Sequence, residues 1–471
     1  MKYKSINQED INAFIGIVGE NNVLSDLESR KKYGSDETED LSYPPDAVIK
    51  PGSTNEVSLV MKYCHDHLIC VTPIGARTGL SGGALSLYGG VGLSLERMNQ
   101  ILEIDEKNLQ VITQPAVITQ VLQESVAARG LYYPPDPSSR GSCFIGGNLA
   151  ENAGGPRAVK YGVTKDFVLS LEVVMADGSV INTGARTLKN STGYNLTQLM
   201  VGSEGTLGII TKAILKLVPL PKHNLLMLVP FYDASKACEA VSAIFRAGIT
   251  PSALEFMERD AIDWVLRFVD EVNVPVEKEI QAHLLIEVDG NYPNSLMLDC
   301  EKISDVVQQF GSGEILFADD ETQKTQLWKL RRKVAEAVKS NSVYKEEDTV
   351  VPRYHLPDLL RGVKEIGQRY GFRSVCYGHA GDGNLHVNII KGELSDHDWN
   401  IELPKAIREI FDLTISLGGT LSGEHGIGLV QKNYMDIPFN IREISVLKAI
   451  KSVFDPLGIL NPGKIIPDEK G

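Results

Sequence analysis

The sequence predicts an α+β protein with two domains, and three observations support this prediction. Residues 70–220 alternate short apolar runs with glycine-rich loops, which is typical of a strand-rich domain. Residues 225–320 alternate strand-like runs with amphipathic helical segments, the pattern of a sheet covered by helices. Between them, the stretch LVPLPKHN carries two prolines and marks the expected boundary. We therefore assign residues 1–222 to a first domain and 223–420 to a second.

The composition narrows the classes of partner. The chain has 471 residues, a formal net charge of -14 and no block of basic residues, which excludes nucleic acid and anionic membrane as electrostatic partners. Its six cysteines are widely spaced, so no disulfide framework is expected. We find neither a secretory signal nor an apolar stretch long enough to span a membrane. We expect a cytoplasmic protein, with attachment to the inner membrane through a partner left open.

Periodicity predicts helices over 6–35, 54–69, 234–247, 259–269, 295–310, 322–340, 356–370 and 400–417, and a further helix after residue 439. The second of these contains CHDHLIC, a cluster that invites a metal-site interpretation. Cys64, however, falls on the apolar face of the helix with Val57, Val60 and Met61, while His65 does not. We interpret this cluster as core and surface rather than as a metal site.

Three glycine-rich loops carry the first functional signal. They are PIGARTGLSGGAL at 73–85, PPDPSSRGSCFIGGNLAENAGG at 134–155, and STGYNLTQLMVGSEGTLGIIT at 191–211. Successive backbone N–H groups in such loops bind a pyrophosphate without lysine or arginine. One such loop alone could simply be a turn, but three in one domain favour a ligand. No strand leads into GxGxxG at the start of a helix, so the nucleotide site is not of Rossmann type.

Two late motifs carry the second signal: YGHAGDGNLHVN at 377–388 and SGEHGIG at 422–428. His379 and His386 are seven residues apart and would face opposite sides of one straight strand, so the AGDGN between them must turn if both bind one ligand. Asn388 then shares a strand face with His386. Two histidines with Glu424 form a ligand set typical of a catalytic divalent metal. The alternative, in which the histidines cap turns and Glu424 lies at the surface, stays open on these residues alone.

The ordered set PIGARTGLSGG, SCFIGGNLAENAGG, GYNLTQLMVGSEGTLGIIT, GHAGDGNLHVN, SGEHGIG and NPGKI resembles the FAD-linked D-2-hydroxyacid dehydrogenases across about residues 40–465. This family includes D-lactate dehydrogenases, D-2-hydroxyglutarate dehydrogenases and the flavin subunit of glycolate oxidase. The resemblance implies a two-part FAD-binding domain of vanillyl-alcohol-oxidase type and an α+β, ferredoxin-like cap domain for the substrate. It implies non-covalent FAD, because the first loop offers no histidine; we give little weight to a covalent link through Cys143.

The resemblance also implies the residues that hold the cofactor. Those that wrap the FAD pyrophosphate are Gly75, Ala76, Arg77, Thr78, Gly79, Leu80 and Ser81. Those that line the cofactor are Pro134, Asp136, Gly146, Gly147, Asn148, Asn152, Gly154, Gly155, Gly205, Gly208 and Ile210. Asn461 is implied to return to the flavin ring, so the resemblance makes residues 421–471 a C-terminal segment that returns to the first, FAD-binding domain. Arg77 stands where glycine is commoner in this family, so its role in the loop is open.

For the reaction centre, the resemblance implies His379, His386 and Glu424 as ligands of zinc, manganese or iron(II), and His425 as the base. A metal on the substrate hydroxyl lowers its pKa, and a neighbouring imidazole takes the proton at neutral pH. The implied substrate contacts are Arg331, Lys345 and Asn388. Without the resemblance, Arg331 and Lys345 would equally be a solvated helix face and a loop charge.

The expected reaction is oxidation of a small D-2-hydroxy acid to the 2-oxo acid, with hydride transfer to flavin N5. Ala335 lies where the D-2-hydroxyglutarate branch tends to have threonine, so we favour D-lactate or glycolate and keep D-2-hydroxyglutarate as an alternative. A metallohydrolase would leave the glycine loops without a purpose, and a non-catalytic flavin electron-transfer subunit would leave His425 unexplained. Three kinds of electron acceptor stay open: a quinone, an electron-transfer flavoprotein or an iron–sulfur subunit. A homodimer also stays open.

Overall fold

The computed structural model describes residues 3–38, 41–272, 274, 276–318 and 320–468. The chain divides into two compact units: the first contains residues 1–154, 162–220 and 424–471, and the second contains residues 155–161 and 221–423. Among the described residues, no helix has both the length and the apolar character needed to cross a membrane.

Helices and strands are numbered along the chain. The helices are α1 (Gln8–Val18), α2 (Leu27–Lys31), α3 (Thr54–Asp66), α4 (Thr119–Ala127), α5 (Ile145–Glu151), α6 (Ala158–Tyr161), α7 (Leu196–Met200), α8 (Ala234–Arg246), α9 (Arg259–Phe268), α10 (Pro293–Gln308), α11 (Glu321–Arg332), α12 (Val334–Asn341), α13 (Leu356–Tyr370), α14 (Leu403–Ser416) and α15 (Ile441–Phe454). The strands are β1 (Val23–Leu24), β2 (Ala47–Ile49), β3 (Val71–Ile74), β4 (Val91–Ser94), β5 (Ile101–Asp105), β6 (Gln110–Thr113), β7 (Leu131–Tyr132), β8 (Val168–Val174), β9 (Val180–Gly184), β10 (Ile209–Lys216), β11 (Val218–Pro219), β12 (His223–Phe231), β13 (Ala253–Glu258), β14 (Ala282–Gly290), β15 (Leu316–Phe317), β16 (Tyr344–Val350), β17 (Arg373–Gly378) and β18 (Asn384–Ile390).

The first unit contains two larger sheets. One has the order β1-β2-β4-β3, with β2, β4 and β3 parallel, and the other is an antiparallel sheet of order β5-β6-β10-β8-β9. Helix α3 connects the parallel strands β2 and β3 and buries Val57, Val60, Met61 and Cys64 in the core. The exposed His67 stacks on Tyr63 instead, so the core-and-surface interpretation of CHDHLIC is confirmed.

The second unit is built on one antiparallel sheet of seven strands, in the order β15-β12-β14-β13-β17-β18-β16. Helices α8, α10, α13 and α14 pack on one another and on one face of this sheet. Helices α9, α11 and α12 pack on the opposite face, in a core with Leu285, Met257 and Tyr377. We call this opposite face the site face, because His379 and His386 lie on it.

Two of the expected helices are interrupted. The segment 6–35 forms α1, a single 3₁₀ turn, β1 and α2, because Gly19 at φ 83° ends α1. Asn7 caps α1 and accepts hydrogen bonds from the backbone N–H groups of Glu9 and Asp10. The segment 322–340 is divided into α11 and α12 at Lys333, whose ψ of -1° departs from helical geometry. Periodicity alone sees neither break, since the apolar positions continue across both.

Candidate active site

The motif at 377–388 forms a hairpin that brings its two histidines together. Strand β17 ends at Gly378, a 3₁₀ turn covers Ala380–Asp382, and β18 begins at Asn384. Gly383 has φ +77°, and an added Cβ there would lie 1.9 Å from the Val351 carbonyl oxygen, so the turn requires glycine. The imidazole centroids of His379 and His386 lie 5.4 Å apart at an interplanar angle of 82°. The predicted turn is therefore confirmed.

The strand pairing gathers polar side chains on the site face. Tyr377 of β17 pairs with His386, and Glu346 and Asp348 of β16 pair with Asn388 and His386. Directly opposed residues of antiparallel strands project from the same face. His386 and Asn388 thus share a face as expected, and one ring nitrogen of His379 lies within 4.8 Å of one ring nitrogen of His386.

His379 is oriented by a buried carboxylate. Its Nδ1 lies 2.9 and 2.8 Å from the two carboxylate oxygens of Glu255, a β13 residue whose side chain is 1% exposed. Burial alone would raise the pKa of Glu255, but the charges of His379 and Arg331 outweigh it and lower that pKa. A carboxylate on Nδ1 fixes the tautomer in which Nε2 carries the lone pair that binds a metal.

His386 has a similar environment on the other strand. Its Nδ1 lies 3.5 Å from Asp348 Oδ1 and 3.7 Å from Glu346 Oε1. The Tyr377 hydroxyl donates to Glu346 Oε1 at 3.2 Å, and the Tyr377 ring lies 5.2 Å from the His386 ring. The Nδ1 of His379 thus meets a carboxylate at hydrogen-bond distance, the arrangement that metal-binding histidines use, whereas the Nδ1 of His386 lies at ion-pair distance from two carboxylates.

Arg331 and His379 contact the same carboxylate, that of Glu255. Arg331 comes from α11, its guanidinium lies 5.0 Å from the Tyr377 ring centroid, and its Nη2 forms a 2.8 Å ion pair with Glu255. That contact is an ion pair without hydrogen-bond geometry. Among the described residues, three nearby polar atoms are buried without a hydrogen-bond partner: Nε and Nη2 of Arg331 and Oδ1 of Asn388. A buried N–H without a partner is costly, so these atoms are suited to a polar ligand.

Lys345 is not brought to the histidines. It pairs with Ile389, one position out of step with His386 and Asn388, so it projects from the opposite face of the sheet. There its Nζ lies 5.3 Å from the centroid of the Trp399 ring. Its role in substrate binding stays a prediction.

Hydrogen bonds to β16 hold the segment that leads to Glu424. Val350 and Thr420 exchange backbone hydrogen bonds of 3.3 and 2.9 Å, which aligns the segment with β16. The backbone N–H of Gly423 then donates to Asp348 Oδ2 at 2.8 Å. Glu424 is the next residue along the chain, so its Cα is fixed within one peptide unit of Gly423.

In the first unit, two of the glycine loops face each other. An added Cβ on Gly75 would lie 3.9 Å from Gly147, whereas one on Gly79 or Gly147 would meet nothing within 4 Å. The Ser81 hydroxyl is buried without a hydrogen-bond partner among the described residues. Open space beside glycine backbone and a buried hydroxyl without a partner fit a bound pyrophosphate.

The third loop and the chain's C-terminal part meet at the first loop. The Glu204 carboxylate accepts hydrogen bonds from the N–H groups of Ile427 (2.8 Å) and Gly428 (2.7 Å). Asn461 Nδ2 donates to the carbonyl oxygens of Gly83 (3.0 Å) and Glu204 (2.8 Å). The GIG half of SGEHGIG is thereby packed against the glycine loops.

These contacts enclose buried ionisable groups. Burial raises the pKa of Glu151 well above its usual value, and the charges of Glu204 and Asp36 raise it further. Burial also raises the pKa of Glu204 to about 7, although the N–H groups of Ile427 and Gly428 oppose this rise. Lys464 responds in the opposite direction, with its pKa lowered by burial to about 8.

Arg77 occupies a glycine-like position in the first loop. Its φ is +61°, a left-handed conformation that favours glycine, and its guanidinium lies 5.1 Å from the Tyr33 ring centroid. The side chain therefore stacks on an aromatic ring of its own unit.

Two of the glycines expected to line FAD, Gly146 and Gly208, lie where close packing leaves no room for a side chain. An added Cβ would lie 2.7 Å from Pro115 Cβ at Gly146 and 2.4 Å from Val173 Cγ1 at Gly208. Gly155 belongs to the segment 155–161 of the second unit. The other expected lining residues lie in the first unit: Ala76, Thr78, Leu80, Pro134, Asp136, Asn148, Asn152, Gly154, Gly205 and Ile210. Contact of these residues with FAD stays a prediction.

Two family models match the chain: "FAD binding domain" over residues 45–184 and "FAD linked oxidases, C-terminal domain" over residues 220–465. The chain belongs to the FAD-linked oxidases. It is 39% identical to glycolate oxidase subunit GlcD of Bacillus subtilis (strain 168), covering 96% of this chain and 95% of the relative. It is likewise 39% identical to D-lactate dehydrogenase of Anaerostipes hadrus, covering 89% of each. The resemblance drawn from the motifs is confirmed.

Among solved structures, p-cresol methylhydroxylase with substrate bound matches this FAD-linked oxidase with a TM-score of 0.80. The match covers 100% of this chain and 99% of that chain at 18% sequence identity, so it shows the fold alone. The predicted vanillyl-alcohol-oxidase type of fold is thereby confirmed, as is the assignment to the flavin-dependent oxidoreductases.

Sequence reasoning missed the carboxylates that surround the site. Glu255 lies 124 residues from His379 in the chain and has no motif around it. Glu346 and Asp348 lie in the segment VYKEED, for which only the cation Lys345 was predicted to contact the substrate. Their i, i+2 spacing on a strand was the available signal, because it places two carboxylates on one face.

Proposed function

We propose that this FAD-linked oxidase oxidises a small D-2-hydroxy acid, with D-lactate or glycolate favoured, to the 2-oxo acid, using FAD and a divalent metal. The observation that carries the proposal is the pair His379 and His386, which face each other and each have a buried carboxylate within 3.5 Å of Nδ1. The relatives named as a glycolate oxidase subunit and a D-lactate dehydrogenase support this choice of substrate.

We assign the metal to His379, His386 and Glu424. The donor set of two imidazoles and one carboxylate fits zinc, manganese or iron(II). The carboxylate of Glu255 orients the His379 imidazole through Nδ1, and the carboxylate of Asp348 lies 3.5 Å from His386 Nδ1. An ion held there supplies Lewis-acid chemistry, which lowers the pKa of a substrate hydroxyl.

The remaining roles belong to the chain's own side chains. Arg331 offers buried N–H groups for the substrate carboxylate, and Asn388 offers a buried carbonyl oxygen on the same face. His425, next to Glu424 in the chain, accepts the hydroxyl proton at neutral pH. Burial of Arg331 excludes water from its guanidinium, which strengthens its attraction for a carboxylate.

FAD is assigned to the glycine loops of the first unit, non-covalently. Bound FAD supplies the hydride acceptor at N5. The thiol of Cys143 is buried and lies 3.2 Å from the Thr119 hydroxyl, which favours a structural role for that thiol over a flavin link. The electron acceptor is proposed to be a quinone, an electron-transfer flavoprotein or an iron–sulfur subunit.

Anaerobic mixing with a panel of D- and L-2-hydroxy acids tests the proposal, with flavin absorbance as the readout and metal analysis of the same sample. We expect bleaching by D-lactate or glycolate and not by L-lactate. Faster bleaching by D-2-hydroxyglutarate would move the substrate to the dicarboxylate alternative. No bleaching by any member would refute the proposed activity and favour a non-catalytic electron-transfer subunit.

A further inference from the structure

Asp348 lies where two parts of the proposed metal site join. Its side chain is fully buried in β16, opposite His386 in the strand pairing. Its Oδ1 accepts a hydrogen bond from Asn384 Nδ2 at 2.7 Å and lies 3.5 Å from His386 Nδ1. The carboxylate is thus tied to β18, the strand that carries His386.

The other oxygen of Asp348 holds the segment that enters Glu424. Oδ2 accepts hydrogen bonds from the Ser422 hydroxyl at 2.9 Å and from the Gly423 N–H at 2.8 Å. The close approach depends on glycine, since a Cβ on Gly423 would lie 2.6 Å from Val350 Cγ2. Because the next peptide unit belongs to Glu424, a shift of this segment shifts that residue directly.

We infer that Asp348 is a positioning residue that aligns two of the three metal ligands at once: His386 through the hydrogen bond to Asn384 of the same strand and the carboxylate charge 3.5 Å from Nδ1, and Glu424 through the backbone of Gly423. This inference rests on the proposed function and goes beyond its ligand set. Partners that orient metal ligands contribute about 10- to 100-fold to metal affinity. A residue that orients two ligands belongs at the upper end of that range.

The test measures divalent-ion affinity of the FAD-loaded Asp348→Asn variant by titration with Zn²⁺ and Mn²⁺. Asparagine keeps the size of the side chain but loses one acceptor oxygen. We expect at least a 10-fold weaker dissociation constant, unchanged FAD content, and recovery of flavin reduction when the ion is added in excess. Because excess ion also stabilises a weakened fold by mass action, unchanged FAD content together with this recovery, rather than the recovery alone, separates positioning from a structural role.

The matched control is Glu258→Gln. Glu258 is a buried carboxylate that accepts the Cys376 N–H at 2.6 Å and pairs with Lys364 at 2.7 Å, on the sheet face opposite the histidines. We expect loss of stability with unchanged ion affinity. Should Asp348→Asn fold poorly, Ser422→Ala removes a single contact to the same oxygen, and we expect it to weaken ion binding several-fold.

His386→Ala separates the inference about Asp348 from the proposed metal site itself. Weak ion binding in His386→Ala together with wild-type affinity in Asp348→Asn and Ser422→Ala would overturn the inference and leave the proposed function standing. A wild-type protein that binds neither Zn²⁺ nor Mn²⁺, nor Fe²⁺ in an anaerobic titration, would overturn both.

Discussion

Glu255→Gln is the perturbation that most sharply separates a metal-orienting carboxylate from an ordinary buried one. Glu255 holds His379 Nδ1 at 2.8 Å and Arg331 Nη2 at 2.8 Å, and its side chain is 1% exposed. Glutamine fills the same volume and still accepts one hydrogen bond, but it removes the charge that balances Arg331. Two separate losses follow, one in folding stability and one in metal binding.

The size of each loss can be worked from these contacts. Removing one partner of a buried ion pair costs about 3–5 kcal/mol, because the other charge stays buried without compensation. Releasing a metal-binding histidine from its carboxylate lowers metal affinity by about 10- to 100-fold. At about 1.4 kcal/mol per tenfold change, that is roughly 1.4–2.8 kcal/mol of binding free energy.

Glu287→Gln is the matched control for this prediction. Glu287 also lies on the site face, is 1% exposed, and forms an ion pair with Arg157 at 2.6 Å. Urea unfolding should therefore show a similar loss of stability in both variants. Competition with a chromophoric chelator should show weaker metal binding only in Glu255→Gln. Equal metal affinities in the two variants would refute the assignment of Glu255 to His379.

Three further predictions concern the base, the glycine loops and the buried acids. His425→Ala should keep FAD and metal but lose anaerobic flavin reduction by substrate; normal reduction would show that His425 is not the base. Gly147→Ala should fold normally and bind FAD more weakly, whereas Gly146→Ala should lose stability by its contact with Pro115, as measured by FAD titration and thermal unfolding. The pKa of Glu204 is raised from 4.5 to about 7, so its contribution to stability is present in full below pH 4.5 and is lost as the pH rises through 7. At 1.36 kcal/mol per unit, the loss is on the order of 3 kcal/mol. Glu204→Gln should flatten that decline in the unfolding free energy of FAD-free protein, and an unchanged slope would contradict it.

The turn between His379 and His386 could be predicted because their odd spacing requires a turn if both are to bind one ligand. Seven residues separate the histidines, and the Gly-Asp-Gly between them supplies the left-handed position that Gly383 takes up. The three glycine loops were equally visible, since their signal is composition within short stretches. Fold and family followed from the order of these motifs along the chain.

The partners of the histidines could not be predicted, because they depend on strand pairing between distant parts of the sequence. Glu255 reaches His379 only since β13 pairs with β17, and Asp348 reaches His386 only since β16 pairs with β18. The position of Lys345 shows the same dependence: a register that differs by one residue decides which face of the sheet it occupies.

The central claim is that a divalent ion at His379, His386 and Glu424 readies the substrate for oxidation by FAD. Its most direct test is anaerobic flavin reduction by D-lactate, or by whichever acid the panel selects, in protein that has been stripped of metal but retains FAD. We predict that the flavin band persists in the stripped protein and bleaches when Zn²⁺, Mn²⁺ or Fe²⁺ is restored. Bleaching at the full rate in the metal-free protein would contradict the claim.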